Sequence, residues 1–427
     1  MKITTKNYHV WGFCLLGLTT LQAQTDPGPR KGPAPPAAGI RGLTTTELAM
    51  FNQGLSTFQE VDGFANGLGP RFNLDSCAGC HAQPTVGGSS PAINPQIAVA
   101  TKAGALNHIP PFLSSNGPVR VVRFKTLPNG QPDGGVHDLF VISGRNDSPA
   151  GCKITQPDFS QANNLSFRIP TPVFGLGLME AIPDSILVAN LAATAAQRAK
   201  LGIGGRFNTN GNDGTITRFG WKAQNKSPLL FAGEAYNVEQ GVTNEIFPQE
   251  REEDPNCATN ATPEDRSDIA KSGYSDIQNF VFFMRYLAPP PPPQGPPSPS
   301  INNGQNVFNT IGCAACHTQT ISTGNSSTAA LAHQPVHLCS DLALHHMGQG
   351  LADGISQGQA AGDEFRTAPL WGLGSRLFFL HDGRTADLVQ AIVAHDSPGS
   401  EAHAVTLNYN ALPPQAKQDL LNYLRSL

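Results

Sequence analysis

The sequence predicts a mainly α protein built in two parts, the first of them enlarged by irregular and short β insertions. Three observations carry this reading. Helical apolar patterns recur along the chain, from "SDIQNFVFFMRYL" to the closing "PPQAKQDLLNYLRSL", where Leu420, Leu421 and Leu424 make one stripe behind a proline start. Extended stretches such as "PVRVVRFKTL" and "VHDLFVIS" are scattered through the first part. Between the parts, residues 288–300 read "APPPPPQGPPSPS", whose eight prolines cannot sit in a helix or a central strand and favour an extended polyproline chain.

Taken in order, residues 1–23 pair Lys2 and Lys6 with the apolar run "VWGFCLLGLTTL" and end in "LQAQ", the pattern of a secretory signal cut after Ala23. The run is short for a membrane span, and no later stretch approaches the roughly 18 apolar residues that a span needs. Residues 24–41 are rich in proline without apolar periodicity and are expected to be a mobile leader. The front part is then 42–287, the linker 288–300, and the compact back part 301–427, which reads as short helices joined by glycine-rich loops. With 427 residues there is length for two or three cores, and with 44 Gly, 36 Pro and only 14% charged residues much of the chain must be loop. A formal charge of −4 excludes a general nucleic-acid binder, which would need a basic field.

Of the eight cysteines, Cys14 leaves with the signal, and four of the others form two tight pairs. "SCAGCHAQ" supplies Cys77, Cys80 and His81, and "GCAACHTQ" supplies Cys313, Cys316 and His317. Two thiols one helical turn apart can add to the two vinyl groups of haem while the adjoining histidine binds the iron. A redox C-x-x-C explains the thiols but not the histidine repeated in both copies, and a zinc site would want its two pairs close together in sequence. The motifs therefore point to two covalently bound c-type haems. Cys152, Cys257 and Cys339 remain; Cys152 and Cys257 share the front part and are the favoured pair if a disulfide forms.

An iron with both axial positions filled passes electrons, whereas one with an open position can bind and activate a ligand. Beyond His317 the back part holds His333, His337, His345, His346, His381, His395, His403 and Met347, while beyond His81 the front part offers His108, His137, Met179 and Met284. Haem 2 is thus expected to be closed and haem 1 open. In "HDGRTADLVQAIVAHDSPGSEA", Thr385 can cap a helix with Asp387 in its first turn, and Leu388, Ile392 and His395 fall on one face.

"GLGPRFNLDSCAGCHAQ", "GLGLMEAIPDS", "RFGWKAQ", "SDLALHHMGQGLADG", "FRTAPLWGLG" and "LFFLHDGRTADLVQAIVAHDSPGSEA" together resemble the bacterial di-haem oxidoreductase family, which is related to di-haem cytochrome c peroxidases and to the di-haem enzyme that matures methylamine dehydrogenase. The resemblance implies two cytochrome c-like haem domains, a reactive front haem, an electron-transferring back haem, and a calcium ion between them whose ligands the sequence does not place. In the relatives a later residue of the helix after an "HDG"-like segment binds the second iron, and counting along this chain puts His395 there. His395 joins His81 and His317 as a metal ligand on this reading, with Met347 its competitor. The sequence departs from the peroxidases in lacking their tryptophan-aspartate-glycine segment, and Glu180 of "LMEAIP" is expected to be either the proton shuttle or a helix-end carboxylate accepting backbone hydrogen bonds. Trp221 and Trp371 are possible relays, or plain core aromatics.

The function expected is that of an exported, periplasmic-type oxidoreductase, with electrons passing from a small cytochrome or cupredoxin through haem 2 to haem 1, where peroxide is reduced. Two alternatives share these residues: an electron-transfer cytochrome without catalysis, and an enzyme oxidising an organic or protein substrate.

Overall fold

In a computed structural model, the described residues are 24–427 apart from 33, 105–108, 128, 132–139, 157, 161, 253, 259, 269, 271 and 272. Residues 1–23, read above as a secretory signal, and His108 and His137 lie outside them.

The front part opens with α1 (Thr45–Phe58), α2 (Cys77–Cys80) and α3 (Pro95–Lys102), continues through α4 (Leu176–Glu180), α5 (Asp184–Ala193) and α6 (Ala195–Leu201), and closes with α7 (Pro228–Gln240) and α8 (Asp276–Tyr286). The back part carries α9 (Pro299–Ile311), α10 (Leu388–Val393), α11 (His403–Asn410) and α12 (Pro414–Leu424). Local chemistry fixes the ends. Thr44 accepts from the Glu47 amide at 3.2 Å while Glu47 accepts from the Thr44 amide at 2.8 Å, a reciprocal cap on α1. Ser227 before Pro228 and Ser298 before Pro299 start α7 and α9 in the same way as each other, with a hydroxyl accepting an amide and proline in the first turn.

Among the described residues, four antiparallel strand pairs fill the gaps: β1 (Arg71–Phe72) with β3 (Ile142–Ser143), β2 (Val121–Phe124) with β4 (Leu165–Arg168), β5 (Ile321–Ser322) with β6 (Pro335–Val336), and β7 (Leu344–His346) with β8 (Glu364–Arg366). Helix amounts to about 33%, an ordinary share for a globular chain, so the architecture is mixed rather than mainly α. The physical reason lies in the composition: glycine and proline break helices early, and short pairs are found in the back part as well as the front.

The two parts use one construction twice. In the front, α1 crosses α8 so closely that a methyl group on Gly54 would come within 2.2 Å of the Asn279 carbonyl oxygen; in the back, α9 crosses α12 with Gly304 as near to the Asp419 carbonyl, at 2.0 Å. Phe58 of α1 packs edge-on to His81 at 5.9 Å between ring centres, and Phe308 of α9 packs against His317 at 6.3 Å. The parts are not separate bodies. Ile321, Leu331, Val336, Leu338, Leu342 and Trp371 belong to the same core as α1, α4 and α8.

Two expectations about the connections need correcting. The stretch 24–41 is strapped along the molecule instead of hanging free: Asp26 pairs with Arg425 at 2.6 Å, Arg30 donates to the Leu427 carbonyl at 2.7 Å, and Ile40 donates to the Tyr286 carbonyl at 2.7 Å. Proline content removed its periodicity but left side chains with specific partners. The proline linker is shorter than its sequence span, because Ser298 and Pro299 already start α9.

Candidate haem sites

Cys77, Cys80, Cys313 and Cys316 are free thiols, whereas Cys152 and Cys257 form a disulfide. Each C-x-x-C-H motif opens onto its own cavity. The front cavity is walled by Cys77, Cys80 and His81 together with Trp221, Gln224, Glu234 and Glu239; the larger back cavity is walled by Cys313, Cys316 and His317 with His345, His381 and His395.

Both motif histidines are held the same way. His81 donates from Nδ1 to the Gly88 carbonyl at 3.0 Å, and His317 donates from Nδ1 to the Cys339 carbonyl at 3.0 Å. For His317 that bond fixes the tautomer and leaves the Nε2 lone pair for a metal, while the His81 ring is drawn by the Thr171 carbonyl as well as that of Gly88. Burial pushes both imidazoles down to about 4, so they are in the neutral, ligating form. Two free thiols, an oriented imidazole and a large mainly apolar cavity, found twice, are the donor set and space that a covalently attached haem requires.

His395 shares this arrangement. It follows α10, whose cap is Asp387 and not Thr385: the Asp387 carboxylate accepts from the Val389 amide at 2.7 Å, while Thr385, two residues earlier, accepts from the Asp387 amide at 3.0 Å. Leu388, Ile392 and His395 all reach the back cavity, as the periodicity predicts. His395 donates from Nδ1 to the Ala391 carbonyl at 2.7 Å, leaving Nε2 available, and burial lowers its pKa.

The other groups of that wall are placed differently. His345 has both nitrogens engaged, with Asp341 at 3.0 Å and Glu401 at 2.7 Å. Burial opposes its charge, but Cys316, Asp341 and Glu401 outweigh that and raise its pKa well above the ordinary value. His381 stacks on Phe365 at 4.3 Å, and burial pushes it down to about 4. Met347 also faces the cavity. His333, His337, His346 and His403 do not line it.

The front cavity differs in kind. Among the described residues no histidine besides His81 lines it. Instead α7 presents Glu234 and Glu239. Burial, together with the neighbouring charge of Glu234, pushes Glu239 up to about 7. The Asn225 amide donates to Glu234, and Gln224 Oε1 is buried without a hydrogen-bond partner.

Glu180, expected as the proton shuttle, does not line this cavity. It ends α4 and accepts two hydrogen bonds from Arg285 of α8, at 2.7 and 3.0 Å, which ties two helices together. A carboxylate surrounded by apolar neighbours in sequence had found a cation from a distant segment. Glu234 and Glu239 escaped sequence reading, although two acids on the otherwise apolar "PLLFAGEAYNVEQ" were a usable signal. So was an internal repeat, "FRIPTPVFGLG" and "FRTAPLWGLG", which places Arg168 and Arg366 at the ends of β4 and β8.

Trp221 lines both cavities, and Trp371 lies with it on a smaller cavity that shares wall residues with each of them. For calcium the structure offers little: among the described residues, the group of three or more His, Cys, Asp or Glu side chains with ligand atoms within 4.8 Å of one another is Cys316, Asp341 and His345, which is no acidic cage. No helix among the described residues is long and apolar enough to cross a membrane.

Comparison with known proteins agrees with these features. No curated protein matches the chain. Among solved structures, hydrazine synthase of Kuenenia stuttgartiensis is 14% identical with a TM-score of 0.37, covering 99% of this chain and 100% of that one. The diheme peroxidase BthA of Burkholderia thailandensis is 14% identical with a TM-score of 0.31, covering 49% of this chain and 65% of that one. A MauG-like protein associated with microbial copper homeostasis is 18% identical with a TM-score of 0.26, covering 36% and 52%. These likenesses are too distant to carry an argument. A family model does carry one: "Di-haem oxidoreductase, putative peroxidase" matches residues 142–427, a span that begins after the first C-x-x-C-H motif and includes the second. The chain belongs to this family of di-haem oxidoreductases, as a peroxidase-like redox enzyme.

Proposed function

We propose that the chain is an exported enzyme with two covalently attached c-type haems, one in each cavity, which takes electrons at the back haem and reduces peroxide at the front one. The observation that carries this reading is the asymmetry of the two walls. The back cavity holds His395 with Nε2 free, a second imidazole beside His317 that would ligate the iron of a bound haem. The front cavity, among the described residues, offers no second histidine but carboxylates, an amide and the Met284 thioether, a softer and more weakly binding donor than an imidazole.

Cys77 and Cys80 would hold the front haem by thioethers with His81 as its ligand, and Cys313 and Cys316 the back one with His317 and His395. Bound haem supplies an iron that takes electrons singly and can accept an oxygen of peroxide. The chain's own residues handle the protons. Glu234, oriented by Asn225, takes the proton from one peroxide oxygen and returns it to the other, and Glu239, poised near neutrality, supplies a further proton. Reduction of one peroxide to two waters consumes two electrons and two protons. The electrons come singly from a small cytochrome or cupredoxin and cross by Trp221. The Cys152–Cys257 disulfide supports an oxidising compartment, in keeping with the signal-like first 23 residues.

The test is stopped-flow mixing of the reduced protein with peroxide. Glu234→Gln should keep two haems and the resting spectrum while slowing turnover by roughly 100- to 10,000-fold, the usual worth of general acid–base help. An unaltered rate clears Glu234 of the role. A wild type inert to peroxide returns the chain to the electron carriers.

A further inference from the structure

Arg366 and Arg376 both line the small cavity that shares wall residues with the two haem-sized ones; both also line the back cavity, and neither lines the front. Arg366 is 7% exposed and its side chain, among the described residues, donates to backbone carbonyls, from Nε to Gly220 at 3.0 Å and from Nη1 to Thr367 at 3.3 Å. The Arg376 guanidinium has no hydrogen-bond or ion-pair partner among the described residues. The two are close enough that burial and the charge of Arg376 together push Arg366 down to about 10.

Carboxylates carried by the same strands and loops are committed elsewhere. Asp353 holds Arg168 at 2.6 Å and Lys222 at 3.1 Å, Glu364 holds Arg206 at 2.5 Å, and Glu180 holds Arg285 at 2.7 Å. A buried cation without a counter-charge is costly, and Arg376, partly buried on the same wall, adds a second positive charge. The wall therefore favours an anionic occupant. A planar guanidinium fork favours carboxylates, which it binds with paired hydrogen bonds.

We propose that Arg366 and Arg376 bind the two propionate carboxylates of the haem in the back cavity, turning its carboxylate edge toward Trp221 and Trp371. This rests on the reading of the back cavity as a haem site. The front haem is the other source of propionates, but neither arginine reaches its cavity. Cations at the propionates stabilise the reduced iron, so the pair raises the potential of the back haem and orients it toward the relay.

The experiment uses the di-haem protein and its Arg366→Gln, Arg376→Gln and Arg376→Lys variants, each read by spectroelectrochemical titration and by the propionate bending band in resonance Raman spectra. Each Gln variant should shift the reduced-to-oxidised ratio of the back haem about tenfold toward oxidised, which is ~59 mV for one electron, and should move the band. Arg376→Lys should recover most of the potential yet still move the band, because an ammonium cannot make the paired bond. Unchanged potential and band in both Gln variants, with two haems present, overturn the proposal, as does a shift in the front haem instead. Where a Gln variant does not fold, an unchanged band in Arg376→Lys is decisive against it. A wild type without a back haem would overturn the underlying haem assignment, which haem stoichiometry reads separately.

Discussion

The indole N–H of Trp221 donates to the carbonyl of Ile169 at 3.0 Å, and this bond fixes the ring where it borders both haem-sized cavities. Arg366 donates its backbone N–H to the Trp221 carbonyl at 2.9 Å, so one residue is pinned by both copies of the internal repeat. Its T-shaped contact with His381, at 6.4 Å, extends the aromatic path into the back wall.

If electrons cross by this ring, Trp221→Phe should slow transfer from the back haem to the front by about tenfold, equivalent to ~1.4 kcal/mol of barrier. It should also cost about 1 kcal/mol of stability for the lost hydrogen bond. Flash reduction followed at the two haem spectra measures the rate directly. Equal rates in the two proteins would remove Trp221 from the path.

His395→Ala should convert the low-spin electron paramagnetic resonance signal of the back haem to high spin, and His395→Met should raise its potential, since a thioether favours the reduced iron. His403→Ala serves as the control, because that side chain is 59% exposed and paired with Asp396. A low-spin signal that survives His395→Ala assigns the iron to Met347 or His381 instead.

Stability should depend on pH through Asp62. Burial, with the charges of Glu60 and Asp276 nearby, pushes its carboxyl up from 3.8 to about 7, although it accepts from Gln240 at 3.0 Å and Tyr236 at 3.3 Å. A raised folded-state value means that the native protein keeps a proton which the unfolded chain has already released. The contribution is fully present below pH 4 and is lost as pH rises toward and through 7, at up to ~1.4 kcal/mol per pH unit. Asp62→Asn should flatten the fall between pH 4 and 7 and be the more stable protein at pH 8. Urea unfolding at a series of pH values checks both, and parallel curves for the two proteins would falsify the assignment.

The sequence by itself determined what is local. Spacing within each C-x-x-C-H motif is covalent geometry, so the two candidate motifs stand out in the sequence, and so does the stripe Leu388, Ile392, His395, because a helix repeats every 3.6 residues wherever it packs. The favoured disulfide pair was legible for a similar reason: exclusion left few cysteines to join. Only tertiary structure decided the chemistry around the cavities. Whether a carboxylate is a proton shuttle or a tie depends on which cation reaches it, and Arg285 reaches Glu180 from 105 residues away while Glu239 lies buried beside another acid. The leader's fate, too, was set by Arg425 at the far end of the chain, a partner that no local pattern in residues 24–41 could announce. Long-range pairing of charges leaves no period in a sequence, because the energy depends on distance in space and not on separation along the chain.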